Sequence, residues 1–202
     1  MTINAKTNIH FRVAAPEDAP RIYRLVQSAY RGEESKQGWT TETDMLSGDR
    51  IDVAGIIAKI NDPDSVILLA TDSDTFDGEL VGCCEVTRRS AQLAYFGLFA
   101  VSPRRQGGGI GKQVLAYAED YSRQIWGMRR LELTVIWART ELVQWYIRRG
   151  YRKTGETRFP YRELEKIKGV ALREDLYLDV MGKDLGVASG LVGEGAHDKA
   201  ET

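Results

Sequence analysis

Residues 98–112 read LFAVSPRRQGGGIGK, and this stretch decides the fold. An apolar, strand-like run ends at Pro103, two arginines follow, and a glycine-dense turn opens a helix. Glycines let backbone N–H groups approach an anion closely, and the N-terminus of a helix adds its dipole. Arg104, Arg105 and Lys112 place positive charge beside those groups. The stretch therefore predicts a phosphate-binding turn between a strand and a helix.

The spacing of the glycines excludes two common phosphate motifs. A dinucleotide fingerprint GxGxxG that begins at Gly107 needs glycine at position 112, where the chain has lysine. A P-loop GxxxxGK[ST] that ends in Gly111 and Lys112 needs glycine at position 106 and Ser or Thr at position 113. Both of those positions are glutamine. The phosphate ligand is therefore neither a Rossmann dinucleotide nor a P-loop nucleotide.

The apolar pattern on both sides of the turn predicts alternating elements. Strands are predicted over residues 9–14, 66–71, 80–88, 93–101, 131–137, 152–157 and 176–181. Helices are predicted from about Pro16 to Arg31, over 51–60, from the glycine cluster to about Trp126, and over 141–149. The second of these helices should turn Ile56, Ile57 and Ile60 inward, and Asp77-Gly78 predicts a hairpin turn. An antiparallel meander therefore precedes a strand-helix-strand-helix segment.

Length and charge limit the class of protein. The 202 residues fit one domain, predicted over 9–185, with a flexible extension at 1–8 and a disordered tail at 186–202. A net charge of -1 provides no field that would attract nucleic acid or a membrane surface. Apolar runs are too short for a membrane span, and the polar start does not resemble a signal peptide. We expect a cytoplasmic protein with neither nucleic acid nor membrane as a partner.

The cysteines and histidines argue against a disulfide or metal framework. Cys83 and Cys84 are adjacent in a predicted strand, so their side chains should point to opposite faces and stay unpaired in the core. His10 and His197 lie near opposite ends of the chain, and no Cys/His cluster has metal-ligand spacing. We expect no bound metal and no Ser-His-Asp triad.

Two motifs resemble one known family. Residues 106–111, QGGGIG, resemble the [RQ]xxGx[GA] signature of the GNAT superfamily of acetyl-CoA-dependent N-acetyltransferases. Residues 145–151, WYIRRGY, are similar to its second landmark, in which Tyr146 precedes a Gly-aromatic pair by four residues. The order of elements also matches over residues 9–184. The resemblance implies the GNAT fold, a mixed α/β structure whose mostly antiparallel sheet of about seven strands is splayed in the middle and flanked by about four helices.

The same resemblance implies a coenzyme site. Its pyrophosphate would meet the backbone amides and lysine of the glycine turn, and its pantetheine arm would run along the preceding strand like an added strand. A backbone N–H near Phe99 would polarise the thioester carbonyl. The residues implied for acetyl-CoA binding are Phe99, Ala100, Val101, Gln106, Gly107, Gly108, Gly109, Ile110, Gly111 and Lys112. Tyr146 would be the general acid that protonates the leaving thiolate.

The general base and the acceptor site are left open by the sequence. The amine must lose a proton before it attacks, and Glu85, Glu42 and Glu132 are the candidates for the base. Many relatives have an acidic residue on the strand before the glycine turn, but residues 93–100 of this chain read LAYFGLFA and hold no carboxylate. Tyr95 or a bound water is the alternative. The chain also departs from the family near the start of the last helix, where the family often has an asparagine that holds the pantetheine and this chain has Arg139 and Thr140. The residues expected at the acceptor site are Trp39, Glu42, Tyr95 and Tyr161.

The sequence therefore predicts an N-acetyltransferase that passes the acetyl group of acetyl-CoA to a primary amine of a small molecule, directly and in a ternary complex. Two alternatives remain, namely a protein or peptide acetyltransferase and a non-catalytic sensor that binds an acyl-CoA. The family often dimerises, so a homodimer is left open.

Overall fold

The computed structural model describes residues 8–38, 40–75, 78–159 and 170–187. Within these ranges the strands are β1 His10–Val13, β2 Leu46–Ser47, β3 Ser65–Thr71, β4 Leu80–Arg88, β5 Leu93–Val101, β6 Arg130–Ile136, β7 Arg152–Arg158, β8 Val170–Ala171 and β9 Leu178–Asp184. The helices are α1 Ala19–Tyr30, α2 Gly32–Ser35, α3 Val53–Asn61, α4 Ile110–Gln124 and α5 Thr140–Ile147. Short 3-10 turns lie at Pro16–Asp18 and Pro103–Arg105.

Seven strands form one sheet in the order β1-β3-β4-β5-β6-β9-β7, and β2 pairs with β8 in a separate ribbon. Every neighbouring pair in the large sheet is antiparallel except β5 and β6, which run parallel. A parallel pair needs a crossover, and α4 provides it. The predicted fold class, a mixed and mostly antiparallel sheet of seven strands with four flanking helices, is confirmed, and the one-turn α2 is additional.

The sheet separates two apolar cores. On one face α4 and α5 cover residues such as Leu131 and Met181, and on the other α1 and α3 cover Ile67 and Leu69. The central strands are apolar on both faces because both faces are covered. Cys84 lies in the first core and Cys83 in the second, both as free thiols. The prediction that the two cysteines occupy opposite faces of the core is confirmed.

Burial also accounts for the inertness expected of these thiols. Desolvation raises the pKa of Cys83 to about 12, and it raises the pKa of Cys84 well above its usual value. Because the thiolate is the reactive form, both side chains stay protonated and serve as small apolar residues.

The boundaries of the elements follow local chemistry. Asp52 caps α3, since its carboxylate accepts a hydrogen bond from the Gly55 N–H at 2.7 Å. The predicted strands of the meander agree with β3, β4 and β5 to within one residue. The last strand, predicted over 176–181, instead runs over Leu178–Asp184. Gly78 lies between β3 and β4, while Asp77 falls outside the described residues.

One inward assignment in α3 is wrong. Ile56 is fully buried and Ile60 packs partly against the core, but Ile57 is 36% exposed. Each residue advances about 100° around a helix, so the neighbour of a fully buried residue is turned toward the edge of the apolar face.

The two adjacent isoleucines give a matched test of this packing. Ile56→Ala should lower the free energy of unfolding by about 2 to 5 kcal/mol, because it removes a fully buried side chain. Ile57→Ala makes the same chemical change on the same helix and should cost less than about 1 kcal/mol. Urea denaturation at neutral pH measures both values. Equal losses in the two variants would contradict the placement of α3.

Candidate active site

The site is built around a bulge in β5. In the pairing with β4, Cys83 lies opposite Ala100 and Glu85 lies opposite Gly97, so β5 contains one extra residue between these pairs. Leu98 lies in this extra stretch with a φ of +43°, the only positive φ of a non-glycine residue in the described ranges. This backbone conformation is unusual for leucine and marks a site where local strain is maintained by the surrounding structure.

Beside the bulge, β5 and β6 separate. Their parallel pairing covers Leu93, Ala94 and Tyr95 and ends there. A hydrogen bond of 2.8 Å between Tyr95 Oη and Thr134 Oγ1 spans the start of the opening. Beyond it, the edge of β5 that faces β6 is not paired with β6, and an unpaired strand edge can pair with an extended ligand. Two β5 carbonyls, those of Phe99 and Val101, already accept side-chain hydrogen bonds from Tyr30 and Gln106.

The glycine turn follows directly at the end of β5. Gly107 and Gly109 have φ values of +85° and +82°, and a Cβ built on either would meet no described atom within 4 Å. The turn therefore uses glycine for its backbone conformation and leaves space beside it. α4 begins at Ile110, so its first N–H groups have no partner within the helix and point toward that space.

A cavity of about 290 Å³ joins the turn to the strand edge. It is lined partly by residues that the sequence predicts for coenzyme binding, namely Phe99, Val101, Gln106, Gly107, Gly109, Ile110, Gly111 and Lys112. The other lining residues are Tyr30, Thr40, Arg105, Leu142, Trp145 and Arg149. Most of the residues implied for coenzyme binding are thus brought together. Ala100 is buried in β5 opposite Cys83, and Gly108 is exposed on the turn, so neither contributes to the lining.

Close packing at the bottom of the cavity depends on Gly111. A Cβ at this position would lie 3.3 Å from Phe99 Cζ and 3.6 Å from Trp145 Cζ2. The side chain of Gln106 donates to the Val101 carbonyl at 3.2 Å and to Thr40 Oγ1 at 3.1 Å. These contacts fix the turn against β5 and against the segment that follows α2.

Arg149 is a cavity residue that the sequence did not reveal. Two consecutive arginines at a helix end, such as Arg148 and Arg149, are typical of a solvated surface. The Arg149 guanidinium instead lies 3.5 Å from the centroid of the Trp145 ring. Its Nη1 donates to the Trp145 carbonyl at 2.7 Å. Burial and the charge of Arg148 lower its pKa. The four-residue spacing from Trp145 was the available signal, since it places both side chains on one helix face.

Tyr30 was also missed. Its ring is 5% exposed and lines the cavity, and its hydroxyl donates a hydrogen bond to the carbonyl oxygen of Phe99. The helical spacing of the buried residues Ile22, Val26 and Ala29 would have extended the inward face of α1 to Tyr30. α1 is thereby attached to the bulge.

Tyr146 is buried behind the cavity and is 4% exposed. Its ring makes edge contacts with Trp145 and Tyr151, and its hydroxyl has no hydrogen-bond partner in the described part of the chain. Burial raises its pKa well above the usual value, with nearby Arg139 and Arg50 acting in the opposite direction. The phenol is therefore protonated at neutral pH.

Glu85 lies on the α3 side of the sheet, near the bulge. A Cβ added at Gly97 would be 3.5 Å from Glu85 Oε2. Both carboxylate oxygens accept hydrogen bonds from Lys59 Nζ at 2.8 Å, and Ser65 and Thr87 each donate at 3.1 Å. Glu85 is thus placed beside the opening within a polar network.

The other two candidates for the base are also held by ion pairs, as Glu85 is by Lys59. Glu132 pairs with Arg130 at 3.0 Å. Glu42 is 2% exposed and accepts hydrogen bonds from Arg31, Arg50 and Arg139. Burial opposes ionisation of Glu42, but the three positive charges prevail and lower its pKa to about 2. A carboxylate with this pKa is a weak base at neutral pH.

Of the expected acceptor residues, Glu42 and Tyr95 lie within the described part of the chain, whereas Trp39 and Tyr161 lie outside it. Among the described residues, no group of three or more His, Cys, Asp or Glu side chains is placed to hold a metal ion. None of the described helices combines the length and apolarity needed to cross a bilayer.

The fold and the glycine turn agree with one known family of sequences. The sequence model of the acetyltransferase (GNAT) family matches residues 19–151, which is more than half of the chain, and the chain belongs to this family.

The relatives differ in the acceptors that their names give. An amino-acid acetyltransferase of Neisseria meningitidis serogroup A / serotype 4A is 33% identical over 85 residues, 42% of this chain and 18% of that protein. The match therefore spans less than a fifth of the relative's length.

Two of the solved structures that are similar to this chain each superpose on it with a TM-score of 0.62. A GNAT family acetyltransferase from Elizabethkingia anophelis with acetyl-CoA bound is 15% identical, with 88% of this chain and 98% of that chain covered. A chimera of the spermidine N-acetyltransferase SpeG from Vibrio cholerae and hSSAT is 18% identical, with coverage of 88% and 95%. Identities this low establish the fold alone.

The ion pairs of Glu42 predict a specific pH dependence of stability. Glutamate in an unfolded chain has a pKa of about 4.3, and in the folded protein the value is about 2. Because the folded pKa is the lower one, ionised Glu42 stabilises the fold above about pH 4.3, and this contribution is lost as the pH falls toward 2. Glu42→Gln should lower the free energy of unfolding by on the order of 3 kcal/mol at pH 7 and by about half as much at pH 3.

Urea denaturation of both proteins at the two pH values measures the difference. Glu33→Gln is the control, because it removes an exposed carboxylate from α2 and should leave the unfolding free energy nearly unchanged at both pH values. A loss in Glu42→Gln that is the same at pH 7 and pH 3 would show that the charge of Glu42 does not stabilise the fold.

Proposed function

We propose that this protein transfers the acetyl group of acetyl-CoA directly to a primary amine of a small molecule within a ternary complex. One observation carries the proposal: the glycine turn and the part of β5 directly after the bulge, at Phe99 and Val101, line one cavity, where β5 is not paired with β6. The turn suits phosphates, the strand edge suits an extended amide chain, and the bulge lies where those two would bring a thioester.

The residues present fit the coenzyme. The N–H groups of the glycine turn and of the first turn of α4 would hold the pyrophosphate, together with Lys112, Arg105 and Arg149, which line the same cavity. The backbone of β5 from Phe99 to Val101 would hold the pantetheine arm. When bound, acetyl-CoA supplies an activated thioester carbonyl. The space around Gly107 and Gly109 supports this assignment.

The bulge would polarise the thioester carbonyl through a backbone N–H near Phe99. A fixed dipole stabilises developing negative charge without having to reorient. Tyr30 favours such fixing, because its hydroxyl bonds the Phe99 carbonyl and so restrains the peptide plane on the other side of that residue.

Tyr146 is the proposed general acid. As the carbon–sulfur bond breaks, the phenolic Oη would give its proton to the thiolate sulfur. Burial keeps the phenol protonated until then, and no described residue competes for its hydroxyl. Glu85 is the proposed base, acting through water, because it lies beside the bulge and Glu42 has too low a pKa.

A small acceptor is supported by the closure of the α1 side of the opening. The side chains of Arg31, Glu42 and Arg139 are 9%, 3% and 8% exposed. Side chains that are this buried offer little surface along which a peptide acceptor could lie, which supports a small acceptor.

Release of free thiol from acetyl-CoA, measured across amino acids, polyamines and short peptides, tests the proposal. Turnover with a small amine supports it. Turnover that requires a peptide would assign the protein to peptide acetylation, and acetyl-CoA binding without any turnover would assign it to sensing.

Replacing the proposed acid tests its role. Tyr146→Phe should lower kcat by about 100-fold and leave acetyl-CoA affinity nearly unchanged, because it removes a proton donor and little contact area. Steady-state kinetics and calorimetry measure the two effects. Tyr121→Phe, which removes a phenol that packs on Trp126 at the far end of α4, is the control. An unchanged kcat in Tyr146→Phe would refute the assignment.

The anion-binding turn can be tested with two matched glycines. Gly109→Glu should abolish acetyl-CoA binding, because it places a negative charge and a side chain in the turn. Gly127 also has a positive φ and open surroundings, but it lies beyond the end of α4 and away from the glycine turn. Gly127→Glu should therefore retain acetyl-CoA binding. Calorimetric titration with acetyl-CoA compares them. Normal affinity in Gly109→Glu would contradict the coenzyme site.

A further inference from the structure

An arginine cluster, formed by Arg31, Arg50 and Arg139, surrounds Glu42. The Arg31 and Arg139 side chains are 9% and 8% exposed, and the Arg50 side chain is 30% exposed. The shortest nitrogen–oxygen distances are 2.8 Å to Arg31, 2.9 Å to Arg50 and 2.9 Å to Arg139. Both carboxylate oxygens are engaged, each by two guanidinium groups. One negative charge is thus shared among three positive charges, so the arginine cluster keeps an excess of two positive charges.

One nitrogen of the arginine cluster is buried without a hydrogen-bond acceptor among the described residues. Arg139 Nη2 is inaccessible to solvent and has no hydrogen-bond partner in the part of the chain that the structure describes. The Arg139 side chain as a whole is 8% exposed. A buried charged donor without an acceptor is costly, and native structures satisfy nearly all such groups. The missing partner is an acceptor of hydrogen bonds, and the two uncompensated charges favour an anion.

The arginine cluster lies beside the site of acetyl transfer. The Arg50 and Arg139 guanidinium carbons are 4.1 Å and 5.7 Å from the centroid of the Tyr30 ring. The hydroxyl of that same ring bonds the Phe99 carbonyl at the bulge. Arg139 also immediately precedes α5, the helix that carries Tyr146. An anion bound by the arginine cluster is therefore within the reach of a small molecule whose amine lies at the bulge.

We infer that the arginine cluster binds an anionic group of the acceptor, so that the acceptor is an amine bearing a carboxylate or a comparable anion. The inference rests on the proposed function and narrows its substrate class. A polyamine is disfavoured, because it would bring further positive charge next to an uncompensated positive excess. Arginine suits the role, since its planar fork matches the two oxygens of a carboxylate.

Wild-type protein provides the first arm of the test. Thiol release is measured with amino acids and with spermidine. For each amino acid that is acetylated, it is also measured with the corresponding carboxamide and the corresponding aminophosphonate. kcat/KM for the carboxylate or phosphonate should exceed that for the carboxamide by about tenfold or more, because a site built for a charged hydrogen-bond partner rejects an analogue without one. Carboxamides or spermidine used equally well would overturn the inference.

Variants assign the preference to the arginine cluster. Arg139→Gln should reduce the ratio of kcat/KM for the amino acid to that for its carboxamide by about tenfold, and Arg139→Lys, which keeps the charge but not the fork, should reduce it less. A ratio is independent of the fraction of active protein, so partial loss of folding does not obscure it. Arg24→Gln, on the exposed face of α1, should keep the wild-type ratio. An unchanged ratio in Arg139→Gln would overturn the inference.

The outcomes separate this inference from the proposed function. Thiol release with spermidine or carboxamides in preference to anionic amines refutes the inference and leaves acetyl transfer to small amines intact. Thiol release with no amine at all, in protein that binds acetyl-CoA, refutes both.

Discussion

The separation of β5 from β6 is the constraint on which the site depends. The two parallel strands stay paired as far as Tyr95. Beyond that residue β5 contains the bulge and remains paired with β4, but it is no longer paired with β6. Freed backbone groups in a folded core need other partners. Tyr30 bonds the Phe99 carbonyl and Gln106 bonds the Val101 carbonyl. Under the proposed function, the pantetheine arm would pair with further backbone groups of β5. The strain at Leu98 and the cavity are therefore parts of one arrangement.

Elements that depend on local pattern were predictable from sequence. The meander strands and the glycine turn follow from apolar alternation and from the conformational freedom of Gly107 and Gly109. The bulge was not predictable, because LAYFGLFA is a plain apolar run and Leu98 does not favour a positive φ. A periodic pattern indicates that a strand is present but not where its register shifts.

The environment of Glu42 could not be inferred from sequence for a different reason. Its three partners are 11, 8 and 97 positions away, so no local spacing connects them. Taken alone, a glutamate in GWTTE is as consistent with a general base as with a structural residue. Only the fold brings Arg139, at the start of α5, into contact with Glu42. Because three arginines stabilise the ionised form, the Glu42 carboxylate is a weak base.

The same positive charge bears on how the acceptor loses its proton. A primary ammonium is not nucleophilic, and a nearby excess of positive charge lowers its pKa and so favours the neutral amine. An acceptor with one carboxylate would neutralise one of the two uncompensated charges of the arginine cluster and leave the other. The remaining charge would still favour deprotonation of the amine. Under the proposed function, the arginine cluster therefore does part of the work that a carboxylate on β5 would otherwise do, which is consistent with the absence of any such residue in LAYFGLFA.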